Sequence, residues 1–177
     1  NSTKMVLMTE FTSDLIKNGR LKLDPSRNDD RKVTFHDSCN PARAMGLFEE
    51  PRYVLKSVCN HFHEMPENTI REQTFCCGGG SGLNTEEFMD MRLRGGLPRA
   101  NAVKYVKERH DVNLLSCICA IDRAVLPPLL KYWVPCVEVS GVHELVGNAL
   151  IMDCEKKRTI GLREEPLEGV EEDEADA

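Results

Sequence analysis

The sequence predicts an α/β fold, a parallel-rich sheet flanked by helices with cysteine loops converging at the carboxyl ends of the strands. Three observations lead there. Short β-branched and aromatic runs alternate with longer stretches of helical apolar spacing. Three candidate strands run into cysteines: Phe35 before Cys39, Phe75 before Cys76, and Leu115 before Cys117. No internal repeat breaks the alternation. In parallel sheets, ligands sit beyond the carboxyl ends of the strands. Cysteine loops far apart in the chain are therefore expected to meet at one edge.

Met5, Met8, Phe11, Thr12, Leu15 and Ile16 recur at helical spacing, and Gly19 follows as a C-cap. Leu21 to Leu23 is a short extended piece, and Asp24 to Arg31 a loop around Pro25. Val33-Thr34-Phe35 is a strand ending in His36-Asp37-Ser38-Cys39, and Pro41 to Gly46 a turn or a helix start. Pro51 opens a helix with Val54, Leu55, Val58, Phe62 and Met65 inward. Thr69 to Phe75 reads as a strand leading into Cys76-Cys77 and the run Gly78, Gly79, Gly80. Asn84 or Thr85 caps a helix that stops at Gly95-Gly96. Pro98 opens another, with Ala102, Val103 and Val106 inward. Val112 to Leu115 is a strand, followed by a helix interrupted at Pro127-Pro128. Val137 to Val139 is the last strand, and Ser140 caps a final helix carrying Val142, Leu145, Val146, Ala149 and Leu150.

Composition narrows the function. The 177 residues are 41 % hydrophobic and 29 % charged, enough for a packed core. Aromatics are only 6 %, against a stacking platform for single-stranded nucleic acid. The net charge of -6 is concentrated at the end, where eight acids face one arginine from Gly161 onward. The expected organisation is one domain over residues 1–160 and an acidic disordered tail over 161–177. The nearly neutral body has no electrostatic grip on nucleic acid. No apolar window of about eighteen residues is present, so no direct membrane span is expected. No export signal is visible.

Eight cysteines stand out: Cys39, Cys59, Cys76, Cys77, Cys117, Cys119, Cys136 and Cys154. A chain this long does not need disulfide staples, and adjacent cysteines rarely pair with each other. Reduced thiols gathered for a metal are expected, with Cys39, Cys76, Cys77, Cys117 and Cys119 as the ligand set. Thiolates suit zinc and iron–sulfur clusters. Five are one more than tetrahedral zinc takes. Gly78, Gly79 and Gly80 let the backbone come close, with N–H groups that can bond to sulfur or to an anion. No Lys-Ser or Lys-Thr follows, so the run is no phosphate loop. Cys59 lies on an apolar helix stripe and is expected to be buried, while Cys136 and Cys154 have no partner at motif spacing.

His36-Asp37-Ser38-Cys39, Cys76-Cys77-Gly78-Gly79-Gly80 and Cys117-Ile118-Cys119 together resemble the cysteine-rich CCG domain of the heterodisulfide reductase family. The flanking strings, residues 34–43 and 68–77, are most similar to DsrK-like proteins, the heterodisulfide-reductase-like subunits of a sulfite-reduction-associated membrane complex. The resemblance covers roughly residues 4–155. It implies a non-cubane [4Fe–4S] cluster held by the CCG cysteines and reductive cleavage of a protein-borne disulfide or trisulfide on a DsrC-like small protein. It also implies other subunits of a membrane-bound redox complex as partners and a cytoplasmic location, peripheral to the inner membrane face. Related CCG domains serve quinone-linked dehydrogenases, which makes electron relay toward quinone the alternative. A metal-stapled docking module without catalysis is a third reading. Two departures stand out. The family's last pair is Cys-x-x-Cys, here Cys117-Ile118-Cys119, and no ferredoxin-type cysteine run is present, as expected of the C-terminal part of a longer protein.

His36 is the candidate proton donor to a departing thiolate, or else fixes its loop. Asp37 is expected to cap the turn at Cys39. His61 and His63 read as solvent-facing, and His110 and His143 as unpartnered. Arg43, Arg94, Arg99 and Arg123 are either a positive rim for the site or ordinary surface charge.

Overall fold

The computed structural model describes residues 5–152, apart from Ser81 and Asn84. Cys154, the acidic tail and the candidate cap Asn84 lie outside the described residues.

Helix α1 spans Met8–Lys17, its first turn closed by the Leu7 N–H donating to Glu10 Oε2 at 2.9 Å. Its inward residues are Thr9, Thr12 and Ser13, while Met5, Met8 and Phe11 face outward. Of the expected stripe, Thr12 is buried and Ile16 packs on the core, while the helix meets its neighbours chiefly through small side chains. A short 3-10 turn, Pro25–Asn28, leads to strand β1, Val33–Phe35. Helix α2, Glu49–Val58, begins two residues before Pro51, which the first turn tolerates. It stops at Cys59, so Phe62 and Met65 lie beyond it. The strand expected over 69–75 is absent. That stretch forms two 3-10 turns, Glu67–Thr69 and Arg71–Gln73, with Arg71 at φ 54°. Its backbone bonds to side chains elsewhere instead of joining the sheet.

Helices α3, Met89–Gly95, and α4, Leu97–His110, follow, then strand β2, Leu114–Cys117. Helix α5, Ala120–Trp133, runs straight through Pro127 and Pro128 instead of breaking there. Buried Val125, Leu126, Leu129 and Leu130 hold both sides of the proline pair in the core. Strand β3, Glu138–Gly141, takes in Ser140, so Gly141 and not Ser140 precedes helix α6, Val142–Ala149.

The three strands form one parallel sheet in the order β1-β2-β3, with Val33 opposite Leu114 and Leu114 opposite Glu138. The pleat sends Leu114 to one face and Leu115 to the other. Leu114 joins Val33, Phe35, Leu55 and Val146 in a core under α2 and α6. Leu115 and Cys117 join Val103, Val106, Leu126 and Leu130 in a second core under α4 and α5. The expected α/β architecture is present, with a sheet of three strands between helical layers. Leu23 and Leu150 pair as an antiparallel bridge. The Asp24 N–H donates to the Ala149 carbonyl at 2.8 Å, and the Ile151 N–H to the Lys22 carbonyl at 2.9 Å.

His63 is not simply solvent-facing. Its ring stacks on His110 at a centroid distance of 4.5 Å. Partial burial, then the nearness of His110, His61 and Lys32, lowers its pKa below the ordinary 6.5. The folded state resists this proton more than the unfolded state does, so stability falls as pH drops below 6.5. Urea midpoints measured from about pH 8 down to about pH 5 should show this fall, and His110→Gln should flatten part of it. Burial pushes the Cys59 thiol up to about 12. In the folded, metal-free chain at about pH 8, iodoacetamide should label exposed Cys39, Cys76 and Cys136 and reach Cys59 only after denaturation.

Candidate metal centre

The site is built where β1 and β2 end. The His36 N–H donates to the Ser116 carbonyl at 2.8 Å, which extends the sheet ladder one residue past β1. The chain then turns through buried Asp37 and Ser38 to exposed Cys39 and a π-type turn, Asn40–Ala44. At the adjacent strand end, Cys117 is buried with its thiol 3.8 Å from the Ser140 carbonyl. Cys119 is half-buried and precedes α5.

Asp37 does more than cap a turn. Its carboxylate accepts from Arg52 Nη1 at 2.8 Å and Nη2 at 2.7 Å, and from the Arg71 N–H at 2.8 Å. Its carbonyl accepts from Thr74 Oγ1 at 2.8 Å. A single residue just beyond β1 therefore holds the segment leading into Cys76-Cys77. Arg43 adds a second tie, donating to the Glu72 and Thr74 carbonyls at 2.9 and 2.6 Å.

Cys76 is exposed and Cys77 buried. The Gly78 N–H points at Cys76 Sγ at 3.3 Å, and the Gly79 N–H bonds to the Cys77 sulfur. Gly78 sits at φ 91°, where a Cβ would lie 2.6 Å from the Arg92 carbonyl. A Cβ on Gly79 would lie 2.6 Å from Val125 Cγ1, while Gly80 is open.

Behind these loops lies a network that motif spacing does not show. Asp122, in the first turn of α5, is buried. Its Oδ2 accepts from Ser38 Oγ at 2.5 Å, its Oδ1 lies 3.5 Å from His36 Nε2, and the Cys77 thiol lies beside it. The Cys119 N–H reaches Ser38 Oγ at 3.4 Å. Ligand atoms of His36, Cys77 and Asp122 all lie within 4.8 Å of one another. Among the described residues, this is the one His, Cys and acidic set compact enough for a single ion, and the five candidate cysteines do not form such a set.

Burial pushes the Cys77 and Cys117 thiols up, and the Asp122 charge adds to this, so both are protonated in the metal-free chain. Burial also pushes Asp122 up, but hydrogen bonds from His36, Ser38 and Cys77 outweigh it and hold the carboxylate low. Burial lowers the His36 pKa, and His36 Nδ1 has no partner. Of the two readings of the arginines, ordinary surface charge fits Arg94 and Arg123. Arg94 pairs with Asp90, Arg123 pairs with Glu144, and Arg99 is fully buried. Arg52, Arg99 and Asp122 escape a sequence reading because charged residues default to the surface.

The donor set fits an iron–sulfur group. Five thiols come from three loops at one sheet edge, and backbone N–H groups face sulfur at two of them. Chain and site together define a small α/β cysteine-rich domain built to hold metal through thiols. Residues 33–119 match the cysteine-rich domain family CCG, and the chain belongs to that family. It is 50 % identical over 143 residues, 81 % of its length, to an Hdr-like menaquinol oxidoreductase iron-sulfur subunit of Archaeoglobus profundus, covering 26 % of that protein. It is 49 % identical over 162 residues, 89 % of its length, to a second Hdr-like menaquinol oxidoreductase iron-sulfur subunit, from Archaeoglobus fulgidus, covering 29 % of that protein. It is 34 % identical over 155 residues, 86 % of its length, to a subunit of the dihydromethanophenazine:CoB–CoM heterodisulfide reductase of Methanosarcina acetivorans, covering 35 % of that protein. The chain thus spans about a third or less of the relatives it matches. No solved structure matches it. Among the described residues, no helix is long and apolar enough to cross a membrane.

Arg52→Leu leaves the buried Asp37 carboxylate without its two strongest donors and Glu64 without its partner. The variant should lose about 3–5 kcal/mol of stability in urea unfolding.

Proposed function

We propose that this chain is the iron–sulfur portion of an Hdr-like oxidoreductase. In this reading Cys39, Cys76, Cys77, Cys117 and Cys119 hold a non-cubane [4Fe–4S] group. Five cysteines delivered by three loops to the carboxyl edge of one parallel sheet carry the reading. The names of the relatives support an electron-transferring subunit.

The group supplies single electrons and an iron site for substrate sulfur when bound. The chain does the rest. Exposed Cys39 and Cys76 lie where a protein-sized substrate has access, and buried Cys77 and Cys117 keep water out from below. The Gly78 and Gly79 N–H groups donate to sulfur and stabilise its negative charge. His36 is the candidate proton donor to a departing sulfur: Nε2 lies 3.5 Å from Asp122 Oδ1, and the unpartnered Nδ1 would relay to that sulfur a proton drawn from solvent.

The proposed substrate is a disulfide or trisulfide on a DsrC-like small protein, in dissimilatory sulfur metabolism. The proposed setting is the cytoplasmic membrane face, with DsrK-like placement beside quinol-oxidising subunits. Two further readings have specific support. Relatives named for menaquinol and for quinone favour electron relay at the quinone side. The compact His36–Cys77–Asp122 set favours a single structural ion in a docking module.

Metal and acid-labile sulfide analysis of anaerobically purified chain, with EPR of the oxidised state, separates these readings. About four irons and four sulfides per chain with a paramagnetic oxidised form are expected, and Cys76→Ser should lose most of the iron. One zinc without sulfide would sink the redox reading. With the cluster present, turnover of a DsrC-like trisulfide and not of a soluble quinone analogue is the expected result. The reverse would move the chain to the quinone side.

A further inference from the structure

Tyrosines aside, the large apolar side chains exposed among the described residues fall into two groups. One lies near the ends of the described chain, in Met5, Val6, Met8, Phe11, Ile151 and Met152. The other is Met45, Phe88, Met91 and Ile121, each 38–56 % exposed. All four of these follow a cysteine loop in the chain. Met45 ends the turn that begins at Cys39, and Arg43 in that turn donates to the Glu72 and Thr74 carbonyls, just before Cys76-Cys77. Ile121 opens α5 behind Cys119 and lies against the glycine run, its Cγ2 3.1 Å from where a Cβ on Gly79 would lie. Met91 neighbours Arg92, whose carbonyl is 2.6 Å from where a Cβ on Gly78 would lie. Phe88 closes a 3-10 turn, Glu86–Phe88, and Arg92 Nη1 donates to the Thr85 carbonyl at its start.

The four side chains therefore belong to the loops that carry exposed Cys39 and Cys76 and to the elements packed against them. Clustered apolar groups left in water beside a reactive centre mark a surface that a partner covers. Two of the four are methionines, which adapt to an incoming chain better than branched side chains do. The exposed charge beside them is mostly negative. Glu72, Glu86 and Glu87 are exposed and in no ion pair among the described residues. The exposed arginines are engaged: Arg94 by Asp90, Arg71 by Glu49, Arg123 by Glu144, and Arg43 by two carbonyls. No lysine stands between Lys56 and Lys104. A small disulfide bearing carboxylates meets repulsion here, whereas a segment with apolar and basic residues finds both features matched. An anionic membrane surface is disfavoured by the same acids. A two-fold contact with a second copy would set those acids against themselves.

We infer that Met45, Phe88, Met91 and Ile121 form an apolar collar that docks an extended segment of the sulfur-bearing substrate protein, and that Glu72, Glu86 and Glu87 select basic residues beside its reacting sulfur. The inference rests on the iron–sulfur reading above and narrows the substrate class of that site. The collar supplies affinity from outside the reacting bond. The acids supply specificity by rejecting anionic competitors. All seven residues act on the segment around the sulfur and not on the sulfur itself.

The test is fluorescence anisotropy on the full chain after anaerobic loading with iron and sulfide. The probes are two fluorescein-labelled peptides, each with one central S-methylcysteine that cannot exchange sulfur. One peptide carries leucine, valine and lysine around it, the other serine and aspartate. The loaded chain should bind the first about tenfold more tightly than the second, and the preference should shrink as salt rises. Met91→Glu and Met45→Ser should each weaken binding of the first peptide about tenfold. Glu87→Lys should narrow the gap between the two peptides. Tyr132→Ser removes an exposed aromatic near the far end of α5 and should leave binding unchanged. These four positions are exposed, so the variants should fold, and thermal melting checks that they do. Equal binding of both peptides would overturn the inference alone. So would a loss in Tyr132→Ser as large as that in Met91→Glu, which would mark general stickiness. Sedimentation that shows a dimer dispersed by Met91→Glu, without peptide binding, would assign the collar to a second copy and overturn the inference. A wild-type chain that takes up no iron and sulfide would overturn it together with the functional reading.

Discussion

The site depends on one carboxylate. Asp37 stands two residues past β1, takes both terminal nitrogens of Arg52 and the backbone of Arg71, and offers its carbonyl to Thr74. Its position is fixed by the sheet, because the His36 N–H is still part of the ladder to β2. The segment before Cys76-Cys77 has no strand pairing of its own, so its course is set through Asp37. The arrangement is electrostatically demanding. Taking Arg52, Asp37 and part of Glu64 out of water costs several kcal/mol per ion, offset only because nearly every donor finds an acceptor. What the pair provides is a register between two loops that share no secondary structure.

The α/β pattern was legible because strands and helices leave different periods in the chain. Val33 to Phe35 and Leu114 to Leu115 read correctly, as did the helices around Val54 and Val103. The reading of Thr69 to Phe75 as a strand failed for a physical reason. Its apolar and β-branched residues satisfy their backbone through Asp37, Arg99 and Arg43, an option that period and propensity do not encode. Pro127-Pro128 misled in the opposite direction. Burial of Leu126, Leu129 and Leu130 outweighs the lost helical hydrogen bonds. The cysteines were legible through their adjacency and glycines. The buried charges around them were not, since a lone Arg or Asp in sequence carries no sign of being inside.

Those buried groups divide the site into two electrical zones. On the α5 side, Asp122 is held ionised by His36, Ser38 and Cys77, and its charge adds to the burial that keeps the thiols of Cys77 and Cys117 protonated. On the α4 side stands Arg99, whose charge acts on Cys77 and its neighbour Cys76 with the opposite sign. Cys77 lies between a carboxylate that discourages its ionisation and a guanidinium that favours it. In a poorly screened interior, such opposed fields let small changes in occupancy shift the balance at one sulfur.

The bridge between Leu23 and Leu150 has a consequence for evolution. The Asp24 and Ile151 backbones clasp across it, so the segment after α1 and the segment after α6 run side by side. The stretch between them, which carries the whole sheet and all three cysteine loops, therefore has neighbouring ends, the arrangement that lets a unit sit within a larger polypeptide while flanking regions stay nearly where they were.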